Sequence, residues 1–204
     1  MRGFRQTELG PVVYIPSDFT IEQADGTPVA GPLASGDTVF LRANVDSVTQ
    51  RAVPTGGNTL FVGNAEIRFA GPFLQNILRW TLFADVGQVW NRGEGFAALR
   101  SSALRITPGF GVRVRTPIGF LRADLAYNPY PRTSGAAYFD APVDAGGALY
   151  CVSPGNMLPV VAQGTGASQR LVQAAGSCVG SFRPPTGSSF FSRLTPSIAI
   201  GQAF

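Results

Sequence analysis

The sequence predicts an all-β fold and, within that class, antiparallel strands of a transmembrane barrel. Three observations lead there. Charged residues are only 14% of the chain, while Gly (25) and Pro (16) interrupt nearly every candidate helical period. No window approaches the roughly 18 consecutive apolar residues of a membrane helix. Apolar and polar residues alternate through five segments, the mark of strands with two different faces. The connections also alternate, short at 71–77 and 117–119 and long at 91–102 and 131–188, as in barrels with tight turns at one rim and long loops at the other.

Residues 1–57 are punctuated by Pro and Gly and read as one long structured loop, in which "VVYIP" (12–16) and "TVFLRANV" (38–45) are candidate short strands of a hairpin. The regular strands begin at 58–70, where Phe61, Ala65, Ile67 and Phe69 oppose Asn64, Glu66 and Arg68. In 78–90, Trp80, Leu82, Ala84, Val86 and Trp90 oppose Arg79, Thr81, Asp85 and Gly87. In 103–117, Leu104, Ile106, Phe110, Val112 and Val114 oppose Arg105, Thr107, Gly109, Gly111, Arg113 and Arg115. In 120–130, Leu121, Ala123, Leu125 and Tyr127 oppose Arg122 and Asp124. After a Gly/Ser/Pro-rich stretch at 131–188, with the composition of an exposed loop, the last strand spans 189–204, where Ile198, Ile200 and Phe204 share a face. A soluble β-sandwich would alternate as well. Trp80 and Trp90 argue for the membrane: ten residues apart on one face of a tilted strand, they are separated by roughly 25 Å, the height of the apolar band between aromatic girdles.

Composition excludes several functions. All 16 basic residues are Arg, and the net charge is +4, but the arginines are scattered singly, so the chain lacks the basic cluster of a nucleic-acid binder. There is no His, which removes imidazole chemistry and the commonest metal ligand. Without His, a GxSxG motif or a metal-ligand spacing, neither catalysis nor a cofactor or metal site is expected. Cys151 and Cys178 read as a disulfide of an oxidising compartment, closing a loop for about 3.5 kcal/mol on the chain-entropy model. "MRGFRQTELG" has no apolar signal-peptide core, so an exported protein would carry its signal upstream of Met1.

In order along the chain, "MRGF" at 1–4, "GGNTLFVGNAEIRF", "FADVGQVW", "GFGVRVRTPIGFLRADLAY" and "SIAIGQAF" resemble the C-terminal part of the BamA/TamA-type outer-membrane assembly barrels, the bacterial surface antigen family. Met1 stands where the family carries an aliphatic residue. The 131–188 loop is longer than the family minimum, and residues 5–55 match loosely. The resemblance implies a sixteen-stranded barrel of which 58–204 supply the last five strands, with 1–57 as the loop that enters the lumen. The other strands and the periplasmic POTRA domains would lie upstream.

The resemblance also implies site roles. Arg2, Gly3 and Phe4 form the tip of the loop, and Arg2 is expected to meet the inward carboxylates Glu66 and Asp85, with Gly87 opening space beside Asp85. Alternation alone already puts Glu66 and Asp85 on polar faces. Ile198, Ile200, Gly201 and Phe204 would form a terminal-strand signal, and Pro196 and Gly201 weak points of a seam. The implied function is a non-enzymatic insertion factor of the outer membrane, with the lipid bilayer, unfolded outer-membrane proteins and periplasmic accessory proteins as partners. A TamA-like assembly module or passive secretion pore, a barrel joined to an upstream catalytic domain, and a soluble β-sandwich binding module are the alternatives.

Overall fold

The computed structural model describes residues 1–4, 8–44, 49–71, 76–95, 97, 99, 103–117, 119–142, 147–187 and 189–201. Among them the chain is all-β, with short 3-10 turns and no α-helix. The strands, in chain order, are β1 (Val12–Pro16), β2 (Thr20–Glu22), β3 (Thr38–Arg42), β4 (Thr49–Pro54), β5 (Thr59–Ala70), β6 (Leu78–Trp90), β7 (Arg105–Thr116), β8 (Gly119–Tyr127), β9 (Ala136–Asp140), β10 (Leu149–Cys151), β11 (Val160–Gln163), β12 (Arg170–Gln173) and β13 (Leu194–Ile200). They fall into two compact units, one of residues 1–10, 56–131 and 186–204, the other of 11–55 and 132–185.

The first unit is a five-stranded antiparallel sheet in the order β13-β8-β7-β6-β5. Its sequence-neighbouring strands pair flush, without bulges, from Thr59↔Trp90 to Ala70↔Arg79 and from Thr116↔Gly119 to Gly109↔Ala126. Flush pairing with a period of two carries each strand's polar face onto one side of the sheet. The other side is apolar and open: Ile67, Phe69, Leu82, Ile106, Phe110, Leu121, Ile198 and Ile200 are all exposed, Ile198 by 77%. That is the inverse of a soluble protein, in which the apolar face is the buried one, and it is the dressing of a lipid-facing barrel wall. The sheet does not close on itself, as expected for one sector of a barrel.

The aromatic residues expected at the two rims divide. Trp80 lies on the outward face, cross-strand from Phe69 and Val112. Trp90 keeps that register but is buried. At its end of the sheet the flanking segments are tied by crossed hydrogen bonds, from Gly57 N–H to Asn91 Oδ1 (3.0 Å) and from Arg92 N–H to Asn58 Oδ1 (2.6 Å). The aromatics open at that end are Phe190 and Phe191, Phe190 stacking on Tyr127 with ring centroids 5.1 Å apart. The last strand is shorter than the expected 189–204: Phe191–Arg193 form a 3-10 turn, β13 runs Leu194–Ile200, and Gly201 follows at φ 103° with its N–H on Phe120 O. Phe204 lies outside the described residues.

The second unit differs from the loops that composition suggests. Residues 11–55 and 132–185 build two four-stranded sheets, β10-β9-β1-β4 and β12-β11-β3-β2, around a buried core of Val12, Tyr14, Val39, Leu41, Val152, Val160, Phe182 and their neighbours. β1 and β3 are strands, but not of one hairpin. β1 pairs with β4 antiparallel and with β9 parallel, whereas β3 pairs with β2 and β11. Each strand is too short for its alternation to stand out, and the pairings that join the two segments, β1 with β9 and β3 with β11, span most of the chain. Cys151 and Cys178 are bonded, with 5.5 Å between Cα atoms. Around them Gln173 acts as a surrogate strand partner, its side-chain amide accepting from Cys151 N–H (2.7 Å) and donating to Cys151 O (2.9 Å).

Candidate functional site

The site is built on the polar face of the five-stranded sheet. The register sets its side chains in rows: Asn64, Asp85 and Thr107; Glu66, Phe83 and Gly109; Arg68, Thr81, Gly111 and Asp124; Arg79, Arg113 and Arg122. Three carboxylates therefore lie on one face of β5, β6 and β8, in three successive rows, and the row of Asp124 adjoins a row of arginines. Glycines between them leave the backbone bare, so another chain segment can approach the wall.

That segment is the N-terminal tetrapeptide. Arg2 grips Asp85 with both its main chain and its side chain: its backbone N–H and Nε donate to Oδ2 at 2.7 and 3.0 Å, and Nη2 donates to Oδ1 at 2.7 Å. Its Nη1 reaches Glu66 at 3.2 Å and Asp124 at 3.3 Å. The guanidinium lies over the Phe83 ring, 3.5 Å from its centroid, and the Thr107 hydroxyl donates to Arg2 O at 2.6 Å. Ion pairs, a planar fork on a carboxylate and a cation over an aromatic face thus act on one side chain, a combination suited to guanidinium and not to an ammonium. Asp85 is fully buried, and burial of a carboxylate is tolerable only with such compensation. Burial alone would lower the Arg2 pKa, but its bonds with Asp85, then Asp124 and Glu66, raise it instead, so Arg2 carries its charge at any pH the protein meets.

Two of the glycines singled out in the sequence lie where another chain segment comes close. Gly3 has φ +92°, and a Cβ there would lie 2.9 Å from the Thr107 side chain. A Cβ on Gly87 would lie 2.7 Å from Met1 Sδ. Phe4 stacks on Tyr130 with ring centroids 6.3 Å apart, and Tyr130 in turn lies under Arg105 and accepts from Ile106 N–H.

The structure thus brings together Arg2, Gly3, Phe4, Glu66, Asp85 and Gly87. It places Ile198, Ile200 and Gly201 at the sheet edge, Trp80 and Trp90 on the rims, and Cys151 and Cys178 in the other unit. Sequence reasoning missed Phe83, Thr107 and Tyr130, and left Asp124 and Arg113 as inward charges without a task. Arg113 contacts Asp124 through Nη1 and Glu66 through Nη2 at 3.2 Å, tying two of the three carboxylates to the wall itself. The signal for Phe83 was present: an aromatic at an inward parity, two residues before the aspartate, breaks the alternation. No cluster of metal-ligating side chains occurs among the described residues.

Comparison with known proteins places this arrangement. The family model of the Omp85 superfamily domain matches residues 1–139, a span that holds Arg2 and all three carboxylates. No solved structure matches the chain. A wall with one lipid-facing side, a polar side carrying paired charges, and a family match over most of its length agree: the chain belongs to the Omp85 superfamily, whose members act in the outer membrane in protein assembly or secretion.

Proposed function

We propose that this chain is the C-terminal barrel sector of an outer-membrane protein insertion factor, in which Arg2, Gly3 and Phe4 are the tip of a lumenal loop locked to the wall through Arg2. The observation that carries the proposal is the seat of Arg2 on Asp85, Glu66 and Asp124, on strands whose opposite face is apolar and exposed. A loop held from inside fixes the wall from within, while the outer face contacts lipid. The working element would be the last strand β13, which pairs with β8 and whose other edge would meet the first strand of the closed barrel in a weak seam. An unpaired strand edge templates an incoming strand by main-chain hydrogen bonding. Pro196, at the centre of β13, lacks an N–H and would loosen the ladder there. Ile198 and Ile200, outward and apolar, would be read during the barrel's own assembly together with Phe204. Trp80, Phe190 and Phe191 would hold the wall at the membrane interfaces. The partners are lipid, unfolded outer-membrane polypeptides and periplasmic accessory proteins, with no cofactor.

The test uses the full-length protein in lipid vesicles offered an unfolded β-barrel substrate. Accelerated appearance of heat-modifiable folded substrate, with substrate crosslinking to a photoreactive residue at Ser197, supports insertion. Conductance and passage of a polypeptide without faster barrel folding would instead assign the chain to the secretion pores of the superfamily.

A further inference from the structure

The cations of the site come from two sources. Arg68, Arg113 and Arg122 belong to the wall, and Arg2 belongs to the loop. Glu66 touches Arg68, Arg113 and Arg2, and Asp124 touches Arg113, Arg122 and Arg2. Asp85 is different: among the described residues, its one cationic partner is Arg2. The two arginines with most contacts overlap. Nη1 of Arg2 and Nη2 of Arg113 both stand 3.2 Å from the same oxygen, Glu66 Oε2, and they divide the two oxygens of Asp124.

We propose that Arg113 is a positioning residue that sets how readily the loop unlocks, by competing with Arg2 for Glu66 and Asp124 and by keeping both paired once Arg2 has left. The inference rests on the loop-lock reading of Arg2. Its logic is a charge balance: among the ion-paired groups, Glu66, Asp85 and Asp124 stand against Arg68, Arg113 and Arg122, so these wall charges cancel before the seated loop adds one more positive charge. Arg113 also lies between Arg79 and Arg122 in the register, a row of like charges that raises the local potential against any further cation. Replacing Arg113 with a neutral residue reverses the balance. The cluster is then neutral with the loop seated and carries a net negative charge without it, so Arg2 is held more firmly. A residue that merely scaffolds the wall would have the opposite effect when lost.

The experiment measures how fast the Leu9→Cys variant, whose native residue packs beside Gly87 in the locked state, reacts with a water-soluble maleimide in the full-length protein in vesicles. The described native cysteines are disulfide-bonded and do not compete. Arg2→Ala and Asp85→Asn are expected to speed labelling. Arg113→Gln is expected to slow it by about fivefold, the factor of one modest charge interaction. Arg113→Lys, which restores the charge without the fork, returns the rate toward wild type. Heat-modifiability of each variant confirms a closed barrel. If Arg113→Gln labels as fast as Asp85→Asn, or at the wild-type rate, Arg113 does not tune release and the inference falls while the lock stands. If Arg2→Ala and Asp85→Asn leave labelling unchanged, the lock itself falls and takes the inference with it.

Discussion

Asp85 is fully buried and is held by Arg2 through three hydrogen bonds, whereas Glu66 and Asp124 each keep two wall arginines if the loop is removed. Removing one partner of a buried ion pair costs on the order of 3–5 kcal/mol, because the other charge is stranded. Arg2→Ala should therefore lower the temperature at which the folded barrel band is lost on semi-native gels, and Asp85→Ala should lower it to a similar degree. Glu66→Gln and Asp124→Asn should do much less. At Gly3 the backbone, not the charge, is decisive: with φ +92° and Thr107 2.9 Å from a would-be Cβ, Gly3→Ala should unseat the tip at a cost of about 1–3 kcal/mol. The same gel shift measures it. Glu66 and Asp85 were legible because alternation gives their faces, whereas Arg2 and its meeting with them were implied only by the resemblance of the motif order. Asp124, Arg113 and Thr107 were not, because their task depends on which rows of the sheet lie under the loop tip, and the register between strands that sets those rows is not written in any one strand.

Strand by strand, the first three long segments were legible to within two residues at each end and the fourth to within three, since alternation over about ten positions fixes both the element and its faces. Face assignment makes a sharp prediction on β13, where Ile198 is outward and its neighbour Ser197 sits opposite Asp124 on the inward side. Ile198→Arg should cost roughly 2–4 kcal/mol if that position lies near the middle of the bilayer, whereas Ser197→Arg should be tolerated in the polar interior. The fraction of protein recovered as a folded, heat-modifiable barrel distinguishes them. The start of β13 was misjudged because "SSFFSRL" carries apolar residues that suit a strand, yet Phe190 and Phe191 project from a turn. Strand ends depend on where the neighbouring strand stops, here Tyr127, which pairs with Leu194.

For the molecule as a whole, composition misled at one place. The Gly/Ser/Pro-rich 132–185 stretch reads as exposed loop, yet with 11–55 it forms a β-structured unit with its own core. Strands of three to six residues, some of them paired only with a distant segment, leave little local periodicity to detect. The Cys151–Cys178 bond belongs to this unit, and opening it by a double Ser substitution should destabilise the unit by about 3–4 kcal/mol. Limited proteolysis should then cut within 132–185 while the barrel band persists. The parallel pairing of β1 with β9 has a further consequence, for biogenesis. A chain emerging N-terminus first presents β1 and β3 long before β9 and β11 arrive, since β4 to β8 lie between them. Until then, both carry bare edges and unburied Val12, Tyr14, Val39 and Leu41, the state in which β-rich chains aggregate. Ribosome-stalled chains ending near residue 131 should therefore be captured by a holding chaperone more strongly than chains that already include β12.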